Sequence, residues 1–301
     1  MLTTLKQLET RLENAKKRNV AVVCADEQSI SAVLNPALKP YIHPVFFGNE
    51  AQIKDILTKQ YDIQEAYDIV PSSDDCDSAQ KAVASIKNGQ CDVLMKGYLQ
   101  TRDFLKAIID KEQGIVGDRL LTHIALNEIP TYHKVLLTTD GGMVVHPDFK
   151  MKQEIALNVL EVAHRLGIEK PNIAILSAAE HVNQKHKDSI EARQLQEFLM
   201  TDYTFACNAA GPISLDIALS LDSAKKKHYE HPVAGNADIL IGSDIDMMNV
   251  LGKSITTLAQ GSMAGIVWGA NVPIVMTSRG SSSQEKLYSL MLALAICEDV
   301  L

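Results

Sequence analysis

Short apolar runs recur along this chain at intervals long enough to hold a helix, and that alternation restricts the fold most. Strand-like runs fall at residues 20–24, 45–47, 69–70, 93–95, 123–126, 135–137, 173–176, 239–241, 266–268 and 274–276. Helical periodicity occupies 51–60, 79–88, 101–110, 150–166, 191–200, 214–228 and 247–259. Strands alternating with helices read as an α/β fold with largely parallel sheets. Runs 266–268 and 274–276 leave no room for a helix between them, so an antiparallel neighbour is expected there. The 301 residues exceed one ordinary domain, so two are expected. No repeat, low-complexity tract or linker marks their boundary.

Composition removes several classes of function. A net charge of −8 argues against general nucleic-acid binding, which needs a basic face. The run Lys16–Lys17–Arg18 reads as the end of an N-terminal helix, where it complements the dipole, and Lys225–Lys226–Lys227 reads as a solvated helix end. No apolar run approaches the length of a membrane span. The first 18 residues carry Leu5, Leu8 and Leu12 among alternating charges, so they read as an amphipathic helix and not a signal peptide. The five cysteines are scattered and form no CxxC, which points to a reducing cytoplasm without disulfides or structural zinc. No convincing metal site stands out: Asp244 and Asp246 could share a metal, but Asp246 also fits the start of a helix.

The segment NVPIVMTSRGSSSQEK, residues 271–286, concentrates the chemistry. Its apolar run ends at Thr277 and Ser278, Arg279–Gly280 turns the chain, and from Ser282 a helix is expected with Leu287, Leu290, Met291 and Leu294 on one face. Hydroxyls, a guanidinium and helix-start N–H groups around one small volume make an anion site. Other strand ends carry comparable turns, since ligands in open α/β sheets bind beyond the carboxyl ends of strands. Lys96–Gly97 closes one, with Thr101 placed to cap the next helix; Thr138–Thr139–Asp140–Gly141–Gly142 closes another. Residues 207–212, ending in Gly211–Pro212, read as a turn into a helix, and 232–238, with Gly235, precede a strand.

Together these motifs resemble the phosphate acetyl/butyryl transferase family from about Asp92 onward. The resemblance is carried by Leu94–Met95–Lys96–Gly97 with Thr101, Arg119–Leu120–Leu121–Thr122–His123, Thr139–Asp140, Gly211–Pro212, Pro232–Val233–Ala234–Gly235, Lys253–Ser254 and Ser278–Arg279. The short chain and the Met-Lys-Gly segment are most similar to the phosphate butyryltransferase branch. The resemblance implies two α/β domains of the isocitrate/isopropylmalate-dehydrogenase-like kind with an interdomain cleft. Residues 1–134 with 271–301 would form the first domain and 135–270 the second. It also implies reversible transfer of a short-chain acyl group between coenzyme A and inorganic phosphate, with no cofactor or metal and a homodimer or higher oligomer.

By the same resemblance Arg279 would bind phosphate, Ser278 would hydrogen-bond near the reacting thiol or carbonyl, and Glu285 would be the base. Lys96, Thr101, Arg119, Thr139, Asp140, Gly211, Pro212, Gly235, Ser281 and Ser282 would contact substrate. Departures at Ser281, Gly141–Gly142 and Asn236 leave the acyl chain open. Two other functions also stay open: a metal- and NAD-dependent decarboxylating dehydrogenase on the same fold, and a non-catalytic binder of coenzyme A or acyl phosphate. Glu285 also has two readings, because Ser282–Ser283–Gln284–Glu285 fits a capping box in which the carboxylate bonds back to the Ser282 N–H.

Overall fold

The computed structural model describes residues 2–13, 15–60, 67–202, 204–278 and 280–297. Among them run eleven strands: β1 (Arg18–Val23), β2 (Ile42–Gly48), β3 (Asp68–Pro71), β4 (Val93–Lys96), β5 (Thr122–Glu128) and β6 (Leu136–Thr139), then β7 (Asn172–Leu176), β8 (Asn208–Ile213), β9 (Ile239–Ile241), β10 (Ser262–Trp268) and β11 (Ile274–Val275). The helices are α1 (Leu8–Arg11), α2 (Glu27–Val33), α3 (Glu50–Gln60), α4 (Asp75–Lys87), α5 (Thr101–Ile108) and α6 (Phe149–Arg165). They continue as α7 (Lys187–Thr201), α8 (Leu215–Leu219), α9 (Leu221–Lys226), α10 (Ile245–Thr257) and α11 (Ser283–Cys297). This is a mixed α/β fold.

The chain divides into two compact units. One comprises Lys6–Arg119 with Ala264–Leu301, the other Met1–Leu5 with Leu120–Met263. The sequence reading places these divisions at 134/135 and 270/271. Here β5 falls with β6, its antiparallel partner, and most of β10 with β11.

In the unit that carries α11, the strand order is β3-β2-β1-β4-β11-β10. All these pairs are parallel except β10 with β11, the antiparallel neighbour anticipated above. Val20 to Val23 of β1 are buried without a break, as a strand covered on both faces requires. Asp26 and Ser29 close a capping box on α2, a helix too short for its periodicity to be read in the sequence. The largest departure is α11. Leu287 and Ser289 through Ile296 are all buried, so this is a core helix enclosed all round and not the one-faced helix expected.

In the other unit the order is β5-β6-β9-β7-β8, parallel apart from β5 with β6. Strand β8 corrects the turn read at 207–212. Its small residues are dictated by packing: a Cβ on Gly211 would stand 2.6 Å from Ala192 O and 2.9 Å from Ile175 Cβ. Residues 214–228 split at Ser220, whose extended backbone ends α8 and caps α9. The N-terminal helix stops at Arg11, so the basic run follows it at a distance; Arg18 opens β1 and pairs with Asp92 at 3.3 Å. No helix among the described residues is long and apolar enough to cross a membrane.

Candidate active site

The parallel registers put three chain turns at one end of the α11 unit's sheet. Val23 lies opposite Lys96 and Val275 opposite Met95, so the segments after β1, β4 and β11 leave together. Gly97 follows from that crowding. Its N–H donates to Val23 O at 2.8 Å, and a Cβ there would lie 2.3 Å from Cys24 O. Lys96, 3% exposed, is thereby held at the strand end, with its Nζ 3.3 Å from Gly97 O.

After β11 the chain makes a tight turn into α11. The Ser281 N–H donates to Ser278 O at 3.1 Å, and the Gly280 N–H donates to Ser278 Oγ at 3.2 Å. Ser282 caps the helix, its Oγ accepting the Glu285 N–H at 3.1 Å. Only that half of the capping box is present. The Glu285 carboxylate instead accepts the buried Ser281 hydroxyl at 2.6 Å, and Ser281 Oγ lies 3.5 Å from Ser278 Oγ. The structure thus brings Ser278, Ser281, Ser282 and Glu285 into one hydrogen-bonded turn. Arg279 lies outside the described residues.

Lys286 belongs to the same turn and was missed in the sequence. It is 4% exposed, and its Nζ reaches Ser281 O at 3.4 Å. Burial lowers its pKa from the ordinary lysine value, against the opposing pull of the Asp26 and Glu285 carboxylates. The available signal was a single cation set in the first turn of a helix whose later turns are almost entirely apolar.

Thr101 and Arg119 are exposed in this unit. Thr101 does not cap α5; it is the first helical residue, and Gln100 holds the cap position. A cavity of about 670 Å³ also opens in this unit, bordered by Cys24, Asp26, Asn49, Asp74, Tyr98 and Gln100. Glu27, Asp55 and Asp75 line it too, so its charge repels phosphate.

The remaining candidates lie in the other unit. Thr139 and Asp140 are buried, and their polar atoms serve the backbone. Asp140 Oδ1 accepts the Gly142 and Met143 N–H groups, both at 2.8 Å, while Oδ2 accepts the His123 N–H at 3.2 Å. Thr139 Oγ1 donates to His123 O at 2.9 Å. Gly142 lies against the His123 ring, which it would meet at 3.0 Å with a Cβ. Burial lowers the His123 pKa, opposed by the Asp140 charge. Gly211 and Pro212 sit buried within β8. Gly235 has φ +65°, and its absent side chain admits Leu221, whose N would lie 2.4 Å from a Cβ. Of the two carboxylates that hinted at a metal, Asp244 caps α10 by accepting the Met247 N–H at 2.9 Å, and Asp246 stands in the first turn of that helix.

The turn after β11 carries its hydroxyls and carboxylate at the carboxyl ends of the strands, where open α/β sheets bind ligands. The family model described as Phosphate acetyl/butaryl transferase matches residues 58–294. Phosphate acetyltransferase of Thermotoga maritima is 34% identical over 95% of this chain and 98% of its own. Phosphate butyryltransferase of Clostridium acetobutylicum is 30% identical over 97% and 98%. The crystal structure of a branched-chain phosphotransacylase from Enterococcus faecalis V583 superposes with a TM-score of 0.82 at 31% identity, covering 93% of this chain and 99% of that one. The chain belongs to the phosphate acetyl/butyryl transferase family, and it is a phosphate acyltransferase.

Proposed function

We propose that this enzyme moves a short-chain acyl group, butyryl or branched, between coenzyme A and inorganic phosphate, reversibly and by direct thiolate attack on the acyl phosphate. The observation that carries this reading is the turn in which Ser278, Ser281 and Glu285 share hydrogen bonds at the carboxyl end of β11. A thiol at neutral pH is only a few per cent thiolate, so a nearby carboxylate base aids attack. The carbonyl oxygen gains charge in the transition state and needs fixed donors, which hydroxyls and backbone N–H groups supply. Arg279 takes the phosphate. Lys96, Thr101, Arg119, Thr139, Asp140, Gly211, Pro212, Gly235, Ser281 and Ser282 are assigned to substrate binding. For Thr139, Asp140, Gly211 and Gly235 that role runs through the backbone they shape, because their own polar atoms or missing side chains already serve the fold.

The two units are read as the two α/β domains of the isocitrate-dehydrogenase-like kind. The scheme requires no resident metal or redox cofactor, and a cytoplasmic homodimer or higher oligomer completes the proposal. The dehydrogenase alternative is disfavoured because Asp244 is committed to a helix cap. Acetyl transfer remains the nearest competitor, and one assay orders the candidates: acetyl, propionyl, butyryl and branched acyl phosphates with coenzyme A, followed by loss of free thiol.

Arg279→Lys tests the phosphate role. Lysine keeps the charge but loses the planar fork, so kcat/KM should fall by roughly 2–4 kcal/mol while coenzyme A dependence changes little. Unaltered phosphate dependence in that variant would make Arg279 a surface cation and remove it from the scheme.

A further inference from the structure

The Glu285 carboxylate is engaged by a neighbouring hydroxyl, and that engagement has direction. Ser281 is 4% exposed and has one hydroxyl proton. That proton goes to Glu285 Oε1 at 2.6 Å, leaving the Ser281 Oγ lone pairs to face Ser278 Oγ at 3.5 Å. Ser278 Oγ already accepts the Gly280 N–H at 3.2 Å, so its own proton is free to point at Ser281 and its second lone pair to meet a substrate. The helix cap does not compete for Glu285, because Ser282 supplies it. The 3.5 Å step is the loose one, and such contacts tighten when substrate closes on them.

We infer that Ser281 relays a proton between Ser278 and Glu285, so that the carboxylate acts on the thiol through two hydroxyls. The inference rests on the acyltransferase reading of this turn. In the direction that forms acyl-CoA, the thiol S–H proton passes to Ser278 Oγ. The Ser278 proton passes to Ser281 Oγ, and the Ser281 proton to Glu285 Oε1. The products of the step are a thiolate, two neutral hydroxyls and a neutral carboxylic acid. The thiolate then attacks the acyl phosphate carbonyl, the S–C bond forms as the C–O bond to phosphate breaks, inorganic phosphate departs, and Glu285 releases its proton to solvent. In the opposite direction the departing thiolate takes its proton back along the same path. For Ser281 the relay replaces the direct substrate contact assigned to it above: its hydroxyl is engaged by Glu285, and its effect falls on proton movement and not on phosphate affinity.

The test uses the whole enzyme with acyl phosphate and coenzyme A. Glu285→Gln should lower kcat on the order of 10²–10⁴, and Ser281→Ala by about 10², each with the rate rising as pH approaches the thiol pKa near ~8.5. Ser281→Thr keeps a hydroxyl and should retain most of the rate. The double variant Ser281→Ala/Glu285→Gln should be no slower than the worse single one, because both break one chain. Two results would overturn the relay. If Glu285→Gln is impaired while Ser281→Ala keeps the rate and pH profile of the parent, the carboxylate reaches the thiol directly. If Glu285→Gln and Ser278→Ala both turn over normally, the reading of the turn itself fails and the relay with it. Should Ser281→Ala not fold, kcat of the unaltered enzyme in mixtures of light and heavy water decides: a curved dependence is expected of several protons in flight, and a linear one would overturn the relay.

Discussion

Two lysines of this chain are almost equally buried, one in each unit, and their surroundings could hardly differ more. Lys134, 1% exposed, donates to Asp238 Oδ1 at 2.5 Å and to Asn236 O at 2.8 Å. Asp238 in turn accepts the Asn172 N–H at 2.8 Å, so charge and counter-charge are both satisfied inside the fold. Lys286, 4% exposed, has among the described residues a single hydrogen-bond partner, the Ser281 carbonyl at 3.4 Å, and two carboxylates acting on it through space. A buried charge that the fold satisfies is part of the architecture. One left under-compensated in the first turn of a helix is a candidate for a binding role. The difference is one of partners, not of burial, and partners are what substitutions can remove.

The largest effect should come from Lys134→Met. It strands the Asp238 carboxylate, 3% exposed, with half its partners gone. Breaking a buried pair from one side costs about 3–5 kcal/mol, to be read as a shift in the denaturant midpoint. Lys134→Met/Asp238→Asn should recover most of that, because no uncompensated charge remains. A loss of less than about 1 kcal/mol in the single variant, the range of an exposed pair, would show that water already reaches this site.

Lys286→Met should do the reverse, leaving stability unchanged or raised while kcat/KM falls about 10- to 100-fold, some 1.4–2.7 kcal/mol. The pH dependence has a definite sign. The folded-state pKa of Lys286 is below the ordinary 10.5, chiefly through burial. Between that depressed value and 10.5 the unfolded chain therefore binds more protons than the folded one, and stability rises with pH. The parent should gain on Lys286→Met as pH climbs toward 10.5, and lag it below the depressed value. If Lys286→Met instead unfolds as readily as Lys134→Met, both lysines are structural and the contrast is gone.

Much of this arrangement was legible in the sequence, and the exceptions share a cause. The run 239–241 is β9 to the residue, and the short gap between 268 and 274 correctly foretold the antiparallel β10–β11 pair. Those signals are local: apolar runs and loop lengths. Strand β8 was hidden because α7 packs so closely on Gly211 that only small residues fit, and small residues with Gly-Pro look like a turn. Lys286 was hidden because charge is written in a sequence and burial is not. At Glu285 the S-x-x-E spacing suits a capping box and a base equally well. Only the geometry shows Ser282 taking the cap and Ser281 taking the carboxylate.

Cys24 extends the comparison to an acid and carries the smallest expected effect. It follows β1 directly, at φ 51°, in the same unit as Lys286 and is half-buried. Burial pushes its thiol up to about 12, helped by Asp75, whose Oδ1 accepts the S–H at 3.4 Å; a hydrogen bond from Ser78 and the Lys96 charge only partly offset this. The rule that makes the Lys286 ammonium costly makes the Cys24 thiolate costly, but an acid satisfies it by staying neutral. Only the thiolate is alkylated, and at pH 8 a pKa near 12 leaves about one part in 10⁴ ionised. Iodoacetamide at pH 8 should therefore label the exposed Cys76 first and Cys24 at least about 100-fold more slowly, as resolved by peptide mass spectrometry. Asp75→Asn should speed Cys24 only modestly, because the carboxylate is a lesser cause than burial. Labelling of Cys24 at the rate of Cys76 would mean that water penetrates this end of the sheet freely. In that case the depressed Lys286 pKa could not be assigned to burial either.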